Sequence, residues 1–215
     1  MIIAIDGSAA SGKGTLAKRV AAEFGYDYLD TGALYRAVAF SLLNAGANSN
    51  KIDEKQAVNA ASTLNLLLTQ TAEIRTDKVA ALASIVAAIG PVRAELLSLQ
   101  RAFAAAPPSG RGAVLDGRDI GTIVLPDADL KFFIDADLDI RAERRTKELL
   151  QAEQSVMFRD VLAEMTARDD RDRTRLVAPL KAADDAITID TSKMDASEVL
   201  ALALSHINRV CPSEQ

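Results

Sequence analysis

Cysteine and histidine occur once each, as Cys211 and His206, and that scarcity removes whole classes of chemistry. One cysteine makes no intrachain disulfide, and the pair supplies neither a Cys/His zinc site nor a Ser-His-Asp or Cys-His triad. Two lone residues so close to the C-terminus read as the end of a helix with no chemistry of their own. Long apolar runs are missing too: none approaches the ~18 residues of a membrane span, and Met1–Gly7 lacks the basic flank and apolar length of a signal peptide. A reducing compartment, the cytoplasm, is expected. Basic excess is also absent. The 25 Lys+Arg against 30 Asp+Glu leave a net charge of −5, so no global field draws in a nucleic acid polymer or an anionic membrane. An anionic ligand has to be held locally.

What is present is a chain of 215 residues, 49% apolar and 26% charged, long enough for one domain with its own core and a small insert. Short apolar runs at Ile2–Ile5, Tyr28–Leu29, Ala113–Leu115, Leu130–Ile134 and Ala186–Ile189 alternate with helix-like segments, which is the βαβ pattern of an α/β protein with a parallel sheet. Each run leads into an aspartate: Asp6, Asp30, Asp116, Asp135 and Asp190. Ligands of open α/β sheets bind at the carboxyl ends of the strands, where these five fall. From about Ala45 to Thr76 the pattern changes to a polar loop, a helix capped by Asp53, and two stretches, Leu64–Thr71 and Ala72–Thr76, that are predicted to pair as small strands. Alanine-rich helices over Asp77–Ile89 and Pro91–Ala105 and a Pro107–Gly110 loop follow.

The strongest signal is Gly7-Ser8-Ala9-Ala10-Ser11-Gly12-Lys13-Gly14-Thr15, a G-x-x-x-x-G-K loop between a predicted strand and a predicted helix. Glycines let backbone N–H groups turn inward around phosphate oxygens, and the helix N-terminus adds partial positive charge. Lys13 is expected to reach the β- and γ-phosphates of ATP. Thr15, one position later than the strict pattern places its hydroxyl, is expected to hold Mg²⁺. A second apparent motif, Asn50-Lys51-Ile52-Asp53, satisfies the N-K-x-D pattern of guanine recognition, but it follows a polar loop and no D-x-x-G pattern accompanies it, so it reads as a loop and helix cap.

Arginine marks the rest of the site. Tyr35-Arg36 follows Asp30-Thr31-Gly32, Asp116-Gly117-Arg118-Asp119 follows the central strand, and Arg168-Asp169-Asp170-Arg171-Asp172-Arg173-Thr174-Arg175 comes late. Guanidinium groups bind phosphate as a bidentate fork and neutralise a transferring phosphoryl group, so this placement suits a second phosphate site facing the loop. The Arg/Asp alternation also fits a solvated helix with i,i+3 and i,i+4 pairs, and both readings stay open on this segment alone.

With these pieces in the same order over nearly the whole chain, the sequence resembles the bacterial cytidylate kinases of the nucleoside monophosphate kinase group. Val177-Ala178-Pro179-Leu180 strengthens the likeness. The resemblance implies a P-loop kinase-type parallel sheet of about five strands flanked by helices, in a single kinase domain spanning 1–215. It further implies a small acceptor-binding insert at about 45–76 and an Arg-rich lid at about 152–180. It implies transfer from MgATP to CMP or dCMP in pyrimidine metabolism by a monomer. The base would be held by Ser84, Arg93 and Asp119, the 5′-phosphate by Arg36 and Arg118, and the sugar by Arg168 and Asp172, with Thr31 lining the acceptor site. The charge would be handled by Lys13, Arg118, Arg168 and Arg175, and Arg141 and Arg145 would lie near the donor adenine and phosphates, where a solvated helix face is the competing reading, as it is for Arg144.

The assigned groups suit cytosine: a carboxylate at Asp119 can accept from its amino group and Arg93 can donate to its carbonyl and ring nitrogen, a pairing that the reversed N3–H of uracil spoils. Two departures stand out. The insert is shorter than in many relatives, where a small sheet covers the acceptor, and Ser8 replaces a common proline, which predicts some loss of loop rigidity. Two other readings remain open: a kinase for UMP, AMP or a small metabolite, and an ATP-dependent switch protein.

Overall fold

A computed structural model describes residues 1–47 and 52–210. Its elements run β1 (Ile2–Gly7), α1 (Lys13–Phe24), β2 (Asp27–Asp30), α2 (Thr31–Asn44), α3 (Glu54–Ser62), α4 (Asp77–Val86), α5 (Gly90–Ala105), β3 (Ala113–Gly117), β4 (Leu130–Asp135), α6 (Leu138–Gln151), α7 (Phe158–Thr174), β5 (Ile187–Asp190) and α8 (Ala196–Val210). The strands form one five-stranded sheet in the order β2-β3-β1-β4-β5, with every neighbouring pair parallel. Because β1 lies between β3 and β4, the chain departs to one side for β2 and β3 and to the other for β4 and β5. This reversal of strand order opens a crevice at the carboxyl end of β1.

The strands are apolar because helices cover both faces. Ile3, Ile5, Val114, Phe132, Ile134 and Ile189 join Leu16 and Val20 of α1 and Val199, Ala203 and Ile207 of α8 in one buried cluster. A second cluster is built on α2, whose Leu34, Val38 and Leu42 meet Leu82 and Val86 of α4 and Val92 and Leu96 of α5. His206 faces the edge of Phe132 at 6.4 Å between ring centroids. Cys211, Asn50 and Lys51 lie outside the described residues. Asp53 caps α3, accepting from the Gln56 amide at 3.0 Å.

The hairpin expected between Leu64 and Thr76 is not formed. Leu66–Gln70 and Glu73–Arg75 are short 3₁₀ turns. Local side-chain bonds explain the difference: Asn65 accepts from the Leu67 amide at 3.0 Å, and the Thr69 and Thr71 hydroxyls donate to the carbonyls of Leu66 and Leu68 at 2.7 and 3.1 Å. Such bonds offer the backbone an alternative to a ladder. Ile74, fully buried against the α2 cluster, anchors the segment. After β3, Ile120–Val124 forms a single π-type turn with Asp119 as its N-cap residue.

Candidate active site

The phosphate loop leaves β1 at Gly7, where φ is 152° and a Cβ would stand 1.9 Å from the Ile134 carbonyl oxygen, so only glycine fits between β1 and β4. It enters α1 through Gly12 at φ 92°, with no side chain capping the helix, which leaves the first N–H groups of α1 for a ligand. Ser8 and Ser11 are buried within the loop. The Ser8 hydroxyl donates to Asp135 Oδ1 at 2.6 Å and that of Ser11 to the Ser8 carbonyl at 3.0 Å. The rigidity that a serine at position 8 was expected to cost is supplied by this bond across to β4. Ala9 and Ala10 complete the loop, Ala10 in the left-handed region at φ 57°.

Beside the loop, one cleft gathers residues from seven elements and their connections. Lys13 of α1 shares it with Asp30, Thr31, Arg36, Ser84, Arg93, Asp116, Arg118, Asp119, Arg168, Asp172 and Arg175. Every acceptor residue expected from the sequence is therefore in one place. The arginines are held by carboxylates: Arg36 by Asp30 at 2.7 Å, Arg93 by Asp119, Arg118 by Asp172 at 3.0 Å, and Arg175 by Asp119 at 3.6 Å. Arg168 stands 3.9 Å from Asp172, whose other oxygen accepts from Ser84 at 3.3 Å. Thr31 donates to the Asp116 carbonyl at 2.7 Å and so ties α2 to β3.

This crowding of charge in a desolvated place shifts several groups. Burial, reinforced by Arg118, lowers Lys13 to about 8, and burial with Arg118 beside it lowers Arg168 to about 10. Burial raises Asp116, and neighbouring Asp30 adds to the effect against the pull of Lys13. Asp30 is also desolvated, yet Arg36 and Lys13 hold it below the usual carboxylate range.

A second, less polar pocket lies on the other side of the loop. Ser11, Gly12, Thr15, Leu16, Arg144, Thr191, Met194 and Val199 are among its lining residues. Arg144 donates to the hydroxyl and carbonyl of Thr191 at 3.0 and 2.6 Å, and the Thr191 hydroxyl donates to the Ser11 carbonyl at 2.9 Å. Thr15 is among the residues that line this pocket. Position 14, where the strict motif carries its hydroxyl, is a glycine, and Asp116 Oδ2 lies 3.0 Å from where a Cβ would be.

Arg141 and Arg145 line neither pocket. Arg141, 3% exposed, donates to the carbonyls of Ala136 at 2.8 Å and Ala9 at 3.3 Å and pairs with Asp169 at 2.7 Å. Arg145 pairs with Asp77 at 2.6 Å and Glu148 at 3.1 Å. Both guanidinium groups are thus engaged by carboxylates, as those of the cleft are, and Arg141 reaches the phosphate loop at Ala9.

The family model for cytidylate kinase matches residues 3–209. The chain belongs to the cytidylate kinase family. It is 52% identical over 206 residues to a cytidylate kinase of Paramagnetospirillum magneticum, covering 96% of this chain and 97% of that one. It is 49% identical over 215 residues to a cytidylate kinase of Rhodopseudomonas palustris, covering 100% and 99%. Among solved structures, an uncharacterized protein from Eubacterium ventriosum superposes with a TM-score of 0.54 at 17% identity, covering 97% of this chain and 98% of that one, which speaks to the fold alone.

Within this family member, sequence reasoning passed over three groups. Asp116, Asp135 and Thr191 were visible only as strand ends or their sequel. The strand-end rule placed Asp116 and Asp135 near a ligand without giving either a role, and Thr191 carried no local signal.

Proposed function

We propose that the protein is a nucleoside monophosphate kinase that transfers the γ-phosphoryl group of ATP to CMP or dCMP, giving ADP and CDP or dCDP. The observation that carries this reading is the cleft in which Arg36, Arg93, Arg118, Arg168 and Arg175 converge on Lys13, each next to a carboxylate that a ligand can displace. Arg36 and Arg118 take the acceptor phosphate, and Ser84, Arg93 and Asp119 read the base, as the sequence suggests. Arg168 and Asp172 meet the sugar. The donor's phosphates sit on the loop from Gly7 to Thr15, and its base has room in the half-apolar pocket beside Thr191 and Arg144.

Two carboxylates beside Lys13 also fit a divalent cation, in addition to the expected Thr15. Asp30 and Asp116 are register partners on β2 and β3, next to Lys13, and burial raises the affinity of Asp116 for a proton. Mg²⁺ is commonly held by one or two carboxylates together with substrate phosphates. Asp116, Asp30 and Thr15 are the residues that would hold it, and when bound it neutralises phosphate charge.

An acceptor phosphate oxygen attacks the γ-phosphorus while the bond to the β-phosphate oxygen breaks. The acceptor oxygen is already anionic near neutral pH, so no general base is required, and the protein positions the reactants and stabilises spread charge. Lys13 and the arginines supply that stabilisation. The segment around 152–180 acts as the lid, with α7 carrying Arg168 and Asp172 and its C-terminal neighbour Arg175 closing over the phosphates to exclude water.

The test is ADP release from MgATP with CMP, dCMP, UMP, AMP, GMP or no acceptor, with the phosphorylated product identified. Preference for CMP and dCMP is expected. Equal turnover with every acceptor, or turnover with none, would overturn the reading.

A further inference from the structure

We infer that Asp6, at the end of β1, is a positioning residue for base recognition: it caps the turn after Asp119 in trans and thereby frees the Asp119 carboxylate to face the acceptor. This inference rests on the reading of Asp119 as the group that contacts cytosine.

The Ile120–Val124 turn starts from Asp119, its N-cap residue, at φ −149° and ψ 25°. Aspartate in that place ordinarily folds its own carboxylate back onto the second or third amide of the turn that it begins, here Gly121 or Thr122. Here Asp119 makes no such bond. Its carboxylate pairs with Arg93 and Arg175 instead. The first two amides of the turn are taken by a residue more than a hundred positions earlier. Asp6 Oδ1 accepts from the Ile120 amide at 2.8 Å and Oδ2 from the Gly121 amide at 2.7 Å. Asp6 is 4% exposed, and it is fixed in register opposite Gly117 of β3 and Phe133 of β4.

Both oxygens are needed because two N–H groups must be satisfied away from water. An asparagine has the shape but one acceptor, and its NH₂ would confront the second amide. An alanine satisfies neither. In either case Asp119, as N-cap residue of the same turn, is the side chain placed to take over the Gly121 amide, and a carboxylate drawn back onto its own turn leaves Arg93 and the base unpaired. Tight approach at Gly121, where a Cβ would lie 3.5 Å from Asp6 Oδ2 and 3.1 Å from the Lys131 stem, keeps the turn close enough for this cap. Burial raises Asp6 to about 7, against the lowering effect of the Gly121 and Ile120 amides that donate to it.

The experiment compares kcat and KM for CMP, UMP and ATP in the wild type, Asp6→Asn and Asp119→Asn. Asp6→Asn is expected to lower the CMP/UMP ratio of kcat/KM on the order of tenfold, in the direction of Asp119→Asn, with KM for ATP within about twofold of wild type. If the wild type prefers CMP and Asp119→Asn abolishes the preference while Asp6→Asn leaves it intact, this inference fails and the function stands. If the wild type shows no preference, the reading of Asp119 fails first and takes this one with it.

A second measurement does not need Asp6→Asn to fold. In ligand-free wild type the Ile120 and Gly121 amides should exchange slowly, and Asp119→Asn should leave that protection unchanged. Loss of their protection in Asp119→Asn would show that Asp119 caps its own turn and would overturn the inference.

Discussion

The Ser8 hydroxyl donates to Asp135 Oδ1 at 2.6 Å, joining the first turn of the phosphate loop to the end of β4. Asp135 Oδ2 meanwhile accepts from Arg173 of α7 at 3.2 Å. The loop and the lid helix therefore share one carboxylate. Ser8→Ala and Asp135→Asn should each raise KM for ATP several-fold, and the double variant should cost less than the two effects combined. Neighbours in one network show such coupling, of roughly 0.5–3 kcal/mol. Independent effects on KM would show that the hydroxyl does not hold the loop through Asp135.

Lys13 sets an alkaline limit. Its charged form stabilises the phosphates, and burial with Arg118 nearby lowers it to about 8, so the free enzyme loses that charge as pH rises through this value. kcat/KM for ATP should fall above about pH 8. Bound phosphates favour the ammonium form, so the limb in kcat at saturating substrates should move higher. A pH–rate series on both parameters checks the separation. Lys13→Ala should lose turnover with every acceptor and flatten the alkaline limb.

Asp119→Ala separates recognition from chemistry. It should reduce the CMP/UMP ratio of kcat/KM far more than it changes ATP binding, because a base-reading group discriminates by leaving buried polar atoms unpaired with the wrong partner. An unchanged ratio would remove Asp119 from base recognition.

The α7 helix is joined to the rest of the site by Arg118 to Asp172, Arg141 to Asp169 and Arg173 to Asp135. Two of these use residues that ligands are proposed to engage or neighbour. Hydrogen exchange over Arg168–Arg175 should slow when CMP and a non-hydrolysable ATP analogue are both bound. Equal protection with and without nucleotides would count against a lid that closes on substrate.

Sequence patterns expose what lies within a few residues, and the fold was legible to that extent. The apolar runs ending in aspartate located all five strands, and the glycine-rich loop was evident from its spacing. The turns at Leu66–Gln70 and Glu73–Arg75 escaped because Asn65, Thr69 and Thr71 satisfy the backbone locally, a competition that propensity alone does not decide. The carboxylate partners of Arg141 and Arg145 were not legible because an arginine's partner is not written beside it: Asp169 and Asp77 are 28 and 68 residues away, and only the tertiary fold brings them near. Asp6 is a further case, with its amides 114 and 115 residues distant.

The pairing of arginines with carboxylates in the cleft has one further consequence. Its lining holds six cationic side chains, Lys13, Arg36, Arg93, Arg118, Arg168 and Arg175, against four carboxylates, Asp30, Asp116, Asp119 and Asp172. Taken as ordinary ions they leave a surplus of two positive charges, equal and opposite to a phosphate monoester that has lost both protons, as it has above about pH 6. Substrate entry is then an exchange of counterions inside the protein more than a capture of a free anion. Affinity should depend on ionic strength less steeply than so many arginines suggest, and an uncharged nucleoside would leave the ledger of charge open.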